Sequence, residues 1–136
     1  MSRSLTLAIP VQFYDLDPMN VVYHGNYPRY FEQARTALLN ALGYGYVEMK
    51  ASGYAWPIVD MRVRYVASIT FPQTILVTAT LVEWLNCLKI DYRIEDQNTG
   101  TLLTRASTTQ AAVRLDTGEL CLASPACLIA TIEALS

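Results

Sequence analysis

Cysteine and histidine are both scarce in this chain, with three cysteines and one histidine among 136 residues. Cys87, Cys121 and Cys127 are odd in number and show no C-x-x-C spacing. With His24 the only imidazole, a structural zinc site has too few ligands, so no metal is expected and the cysteines read as buried free thiols. Positive charge is not in excess either. Ten Lys and Arg stand against twelve Asp and Glu, for a net charge of −2, and no basic run is present. Nothing here would neutralise a phosphate backbone, which removes nucleic acid as a partner. No apolar run approaches the roughly 18 residues that a bilayer span needs. The opening Met1-Ser2-Arg3-Ser4 lacks the apolar segment of a secretory signal, so a cytoplasmic protein is expected. No G-x-S-x-G occurs, which excludes the strained-elbow serine hydrolases. Repeats, low-complexity segments and linkers are absent, and the length suits a single domain over residues 1–136.

What is present is clear periodicity. Leu5, Leu7, Ile9, Val11 and Phe13 alternate with small or polar residues, the period of a half-buried strand over about Leu5 to Phe13. Tyr27, Tyr30, Phe31, Ala34, Leu38 and Leu42 then recur at helical spacing, giving a helix from about Asn26 to Leu42 with Gly43 as its C-terminal cap. A shorter helix is expected over Tyr46 to Ala51. Beyond it the period changes to two. Strands are expected around Val59–Tyr65, Ile75–Leu81 and Leu88–Ile94, then a long one over about Leu102 to Leu115 and a final one near Glu119 to Ala123. Asp96–Gly100 and Asp116-Thr117-Gly118 read as turns, and a short helix follows Pro125. The order is one strand, one long helix and a meander of about five strands. Such an antiparallel sheet must cover an apolar face that one helix does not hide completely, and it must protect its edges. Both needs favour a homo-oligomer.

The segment between first strand and helix carries the chemistry. Asp15-Leu16-Asp17-Pro18-Met19-Asn20-Val21-Val22-Tyr23-His24-Gly25-Asn26-Tyr27 holds two carboxylates, a turn and the sole histidine. Asp17 stands where a strand ends and a helix begins, beside backbone N–H groups that lack intrahelical partners and gather partial positive charge. A carboxylate facing free amides is one way to build acyl-transfer chemistry. Taken alone, the same aspartate is better explained as a cap of the turn or the helix.

This motif resembles that of the hotdog-fold acyl-CoA thioesterases of the 4-hydroxybenzoyl-CoA thioesterase family, including its Tol-Pal-associated branch. The matching residues are Asp15, Asp17, Val21, Val22, Tyr23, His24, Asn26 and Tyr27, followed by Glu32 and Arg35 in the helix. The resemblance covers almost the whole chain through its element order, with Tyr65 and Ala67 echoing a weaker pattern. Where the family usually has glycine this chain has Asn20, a residue that tolerates a left-handed backbone. The resemblance implies an α+β hotdog fold, an antiparallel five- to six-stranded sheet wrapped around one long helix. It implies hydrolysis of an acyl-CoA by a homodimer or homotetramer without a cofactor. Asp17 becomes the catalytic carboxylate, as nucleophile or as general base. The His24 N–H becomes an oxyanion donor at the start of the helix. The His24 side chain is left with three roles: orienting Asp17 or water, protonating the leaving thiolate, or bonding a nearby carbonyl. Tyr23, Asn26 and Tyr27 fall to substrate binding.

A non-catalytic hotdog protein that binds acyl thioesters or acyl-carrier protein is the alternative, since the hairpin Trp84-Leu85-Asn86-Cys87 carries no basic residue to grip coenzyme A. Tyr44, Tyr46, Tyr54 and Trp56 read first as core or interface residues and second as the walls of an acyl pocket. Arg62, Arg64, Lys89, Arg93, Arg105 and Arg114 lie on polar strand faces, most of them solvated, with one or two placed to meet the 3′-phosphate or pyrophosphate of coenzyme A at a subunit boundary. Glu32 and Arg35 read as a surface pair or as residues that position the helix.

Overall fold

The computed structural model describes residues 3–135. Two sheets and three α-helices follow one another as β1 (Ser4–Pro10), α1 (Tyr27–Leu42), α2 (Tyr46–Ala51), β2 (Tyr54–Ala55), β3 (Ile58–Tyr65), β4 (Thr74–Glu83), β5 (Leu88–Asp96), β6 (Leu102–Gln110), β7 (Val113–Arg114) and α3 (Ala126–Glu133). The main sheet is antiparallel with strand order β1-β4-β5-β6-β3, while β2 and β7 form a small second ladder. Only β4, β5 and β6 are a meander. β1 and β3 go to opposite edges, which the alternation along the chain could not assign because it carries no information on which strand pairs with which.

α1 forms because its apolar residues share one stripe. Tyr27, Tyr30, Phe31, Ala34, Leu38, Leu39 and Leu42 are buried against β4 and β1, and Gly43 ends the helix in the left-handed region at φ 86°. The facing side of the sheet supplies Ile75, Val77, Ala79, Leu81, Leu88, Ile90 and Ile94, all at 3% exposure or less. Burying one such side chain is worth about 1.5–3 kcal/mol, so this helix–sheet contact is the main source of stability. The fold is that of a hotdog, with one long helix packed in a five-stranded antiparallel sheet.

Four details depart from the sequence expectations. The first strand stops at Pro10, because Asp15 accepts the Gln12 N–H at 2.9 Å and turns the chain into a 3-10 turn at Phe13–Asp15. The long strand expected over Leu102–Leu115 breaks after Gln110. There the Gln110 side chain donates to the Trp56 carbonyl at 2.7 Å, and the chain moves from the main sheet to the small one. Around Glu119–Ala123 a single bridge from Leu120 to Val113 replaces a strand. Arg35 does not pair with Glu32 on the surface. It is buried at 7% exposure, donating to the Tyr46 hydroxyl at 2.8 Å and to the Tyr92 hydroxyl at 3.3 Å.

The two edges of the main sheet differ. β1 is short and ends in Pro10. β3 leaves its outer side unpaired and exposes Ile58, Val59, Met61, Tyr65 and the following Val66. A free strand edge with this much apolar surface is what a partner strand covers. The cysteines are unpaired and half-buried.

Candidate active site

Between β1 and α1 the chain folds back on itself around Asp15. This carboxylate is nearly buried and accepts hydrogen bonds from the Gln12 N–H at 2.9 Å and the Tyr30 hydroxyl at 3.1 Å. Its backbone carbonyl accepts from the Tyr23 N–H and from Asn26 Nδ2, each at 2.9 Å. Four donors from three parts of the chain thus meet on one residue. Asp15 is the bracket of the loop: its Oδ2 accepts two of these bonds and its backbone carbonyl the other two, as a nearly buried polar group requires. Burial pushes the Tyr30 phenol well above its ordinary pKa, and the Asp15 charge beside it adds to the effect.

Asp17 lies at the start of the turn that this bracket holds. Its N–H donates to the Val21 carbonyl at 2.8 Å, and its own carbonyl accepts the Asn20 N–H at 3.0 Å. Asn20 takes the left-handed conformation, φ 62°, that the departure from glycine required it to tolerate. Oδ1 of Asp17 accepts the Met19 N–H at 2.8 Å and lies 3.5 Å from the Val21 N–H. Oδ2 has no hydrogen-bond partner among the described residues. One oxygen therefore fixes the carboxylate and the other is free for chemistry, so the turn-capping and reactive roles are compatible.

Beside it, a 3-10 turn at His24–Asn26 leads into α1. The Asn26 and Tyr27 amides close this turn on the Tyr23 and His24 carbonyls. Among the described residues, the His24 and Gly25 amides have no acceptor. These are the orphan donors that any helix start leaves, with the positive end of the helix behind them. The Tyr23 ring lies against Gly25, so a Cβ at this position would have to push that exposed ring aside. The Tyr23 and His24 rings are in contact, with centroids 4.4 Å apart.

A cleft of about 280 Å³ brings part of the motif together: Asp17, His24 and Tyr27 line it with Val21, Tyr65 and Ser68. Tyr27 and Tyr65 meet edge to face at 4.8 Å across its floor. Burial raises the Tyr27 phenol pKa, with Tyr65 as a second cause, so this wall is neutral. Tyr23 and Asn26 are not in the cleft. Tyr23 covers the Gly25 backbone from outside, and Asn26 lines a separate cleft of about 310 Å³ with Asp15, Tyr30 and Arg29. Sequence reading missed Ser68 and gave Tyr65 only a weak signal, because Tyr65 ends β3 and Ser68 lies just beyond it, and folding alone brings this part of the chain to the loop. A third cavity, about 510 Å³ and almost wholly apolar, lies at the other end of β3 among Met49, Tyr54, Trp56, Pro57, Val113 and Leu115.

Comparison with known proteins bears on the family and the fold. Residues 11–130 match the model of the thioesterase-like superfamily. The Bacillus subtilis protein YneP, provisionally named an acyl-CoA thioesterase, is 33% identical over 77% of this chain and 76% of its own. The structure of a DHNA-CoA thioesterase from Staphylococcus aureus superposes with a TM-score of 0.79 at 29% identity, covering 88% of this chain and 80% of that one. The 4-hydroxybenzoyl-CoA thioesterase of Pseudomonas sp. strain CBS-3 has the same fold, with a TM-score of 0.81 at 21% identity over 96% of this chain and 99% of its own. These comparisons support the family and not the narrower Tol-Pal-associated branch.

Proposed function

The chain belongs to the thioesterase-like superfamily, and from that premise we propose that it hydrolyses the thioester of an acyl-coenzyme A in the cytoplasm, giving the free acid and coenzyme A. The observation that carries this reading is the cleft lined by both Asp17 and His24, where a carboxylate with one free oxygen shares a site with an amide lacking an acceptor. With the thioester carbonyl between them, Asp17 Oδ2 has two routes. It attacks the carbonyl carbon, the thiolate leaves, and water cleaves the resulting mixed anhydride. Alternatively it takes a proton from a water that attacks the same carbon. Negative charge grows on the carbonyl oxygen in both. A fixed N–H aimed there is worth about 10²–10³ in kcat. The exposed His24 ring, with no hydrogen-bond partner among the described residues, is available to hand a proton to the leaving thiolate. Tyr27 forms the wall against which the substrate lies, while Tyr23 and Asn26 serve the substrate by holding the loop that carries His24.

The same reading joins two chains along β3, which is free and apolar. Antiparallel β3–β3 pairing carries the Pro57 end of one subunit to the Tyr65 end of the other. The apolar cavity around Trp56 and Met49 then stands beside the partner's Asp17 cleft and offers the acyl group a dry lining. Thiol release from a panel of acyl-coenzyme A and acyl-carrier-protein thioesters tests the function. Hydrolysis of at least one coenzyme A thioester is expected. Saturable binding with no hydrolysis of any would replace the enzyme by an acyl-binding protein.

A further inference from the structure

The solvent face of the main sheet, opposite α1, carries an arrangement that neither fold nor hydrolysis requires. In the register of the ladders, Thr78 faces Arg93, Arg93 faces Arg105 and Arg105 faces Arg64, so three guanidinium stems stand in one row across β5, β6 and β3. In the next row Thr80 faces Asp91, Asp91 faces Ser107 and Ser107 faces Arg62. Like charges directly opposite on adjacent strands destabilise a sheet. Neighbouring carboxylates offset only part of this: Arg62 lies 3.3 Å from Asp60 and Arg93 lies 3.3 Å from Glu95. Arg64 and Arg105 have no carboxylate within salt-bridge distance among the described residues. The chain as a whole carries a charge of −2, so this is a local concentration against the overall balance.

The four arginines line a cavity of about 540 Å³ together with Thr78, Thr80, Ser107 and one carboxylate, Asp91, so four cations stand against one anion there. That volume is in the range of small-molecule sites. Strands are spaced about 4.8 Å apart, so the outer stems of the Arg93–Arg105–Arg64 row are about 10 Å apart at the backbone. Guanidinium forks carried on stems at that spacing, with the Thr78 and Ser107 hydroxyls beside them, are within reach of the oxygens of adjacent phosphates. Arg64 and Tyr65 are consecutive in a strand and so face opposite sides. Tyr65 lines the Asp17 cleft, which leaves the arginine face as a separate place.

We propose that this face is a second binding site, for a small soluble ligand bearing two or more adjacent phosphates, of the nucleoside diphosphate class. The proposal does not depend on the hydrolytic function. Calorimetric titration of the full chain with ADP and with pyrophosphate at low ionic strength tests it. Saturable binding of one ligand per chain is expected, with a matching rise in melting temperature. The double variant Arg64→Gln/Arg105→Gln should bind at least tenfold more weakly, and without ligand it should melt no lower than the wild type because repulsion is relieved. Wild type that binds neither ligand, or binding that survives the double substitution, overturns the proposal. It also fails if acyl-coenzyme A displaces ADP and the double variant raises KM for that thioester but not for its phosphate-free pantetheine analogue, since the arginines would then grip the substrate. A double variant with an altered oligomeric state would make the face an interface between copies and likewise refute a ligand site.

Discussion

Replacing Asp17 by asparagine separates holding the turn from performing the reaction. Oδ1 accepts the Met19 N–H at 2.8 Å and lies at 3.5 Å from that of Val21, and an asparagine carbonyl oxygen can occupy the same position. What is lost structurally is the charge assistance of one short bond at a half-exposed site, about 1 kcal/mol. For a chain of 136 residues that corresponds to a fall of about 3–5 °C in melting temperature. What is lost chemically is larger, because an amide is neither nucleophile nor base. Removing such a group costs about 10²–10⁴ in kcat, or about 3–5 kcal/mol of barrier. The control is Asp15→Asn. There Oδ2 accepts both the Gln12 N–H and the buried Tyr30 hydroxyl, so replacement should cost about 1–3 kcal/mol of stability. Thiol-release kinetics and circular dichroism melts on both variants should give opposite profiles: rate lost with fold kept for Asp17, fold weakened with a smaller effect on the rate per folded molecule for Asp15. An Asp17→Asn enzyme within tenfold of the wild-type kcat would refute the assignment of Asp17 to the chemistry.

Charge on the free edge should break the proposed dimer: Val59→Lys with Met61→Lys is expected to halve the sedimentation mass, and an unchanged mass would exclude β3 as the interface. Among the described residues Arg35 is a buried cation with only neutral hydroxyl partners, so Arg35→Met should leave stability within about 1 kcal/mol or improve it, whereas Tyr92→Phe, which strips a partner from the charge, should destabilise by about 1–3 kcal/mol in urea titrations. The Tyr30 phenol is raised by burial and by Asp15, so folding favours its protonated form; that contribution is complete below the unfolded value near 10 and is lost as pH climbs through the folded one. Alkaline unfolding followed by tyrosinate absorbance should therefore shift to higher pH in Tyr30→Phe, and an unmoved midpoint would assign the transition to another group.

The helix and the central strands were legible because one-sided burial writes itself into period. Tyr27 to Leu42 and Leu88 to Ile94 carry apolar residues where a core demands them, and the structure buries those same residues. Asn20 was legible for a different reason, its backbone tolerance, and it takes a positive φ. Pairing was not legible. Nothing local distinguishes an edge strand such as β3 from a central one, and β6 ends at Gln110 through a contact with Trp56, 54 positions away. Of the candidate site, the loop residues could be named from the motif. Ser68 could not, since its place beside Asp17 depends on the path of β3. Of the two readings of Arg35, the surface pair with Glu32 rested on spacing alone and does not form, while its bonds to Tyr46 and Tyr92 tie the helix to its neighbours.

The knot of bonds on Asp15 has a thermodynamic consequence. A loop tied from behind at Gln12, Tyr23, Asn26 and Tyr30 surrenders its configurational entropy when the chain folds, not when a ligand arrives. Occupancy of the cleft then has little segmental ordering left to impose, and exchange of the bonded amides at Asp17, Asn20, Val22, Tyr23 and Asn26 should be nearly as slow in the empty protein as in the filled one, while the acceptor-free His24 and Gly25 amides alone gain protection.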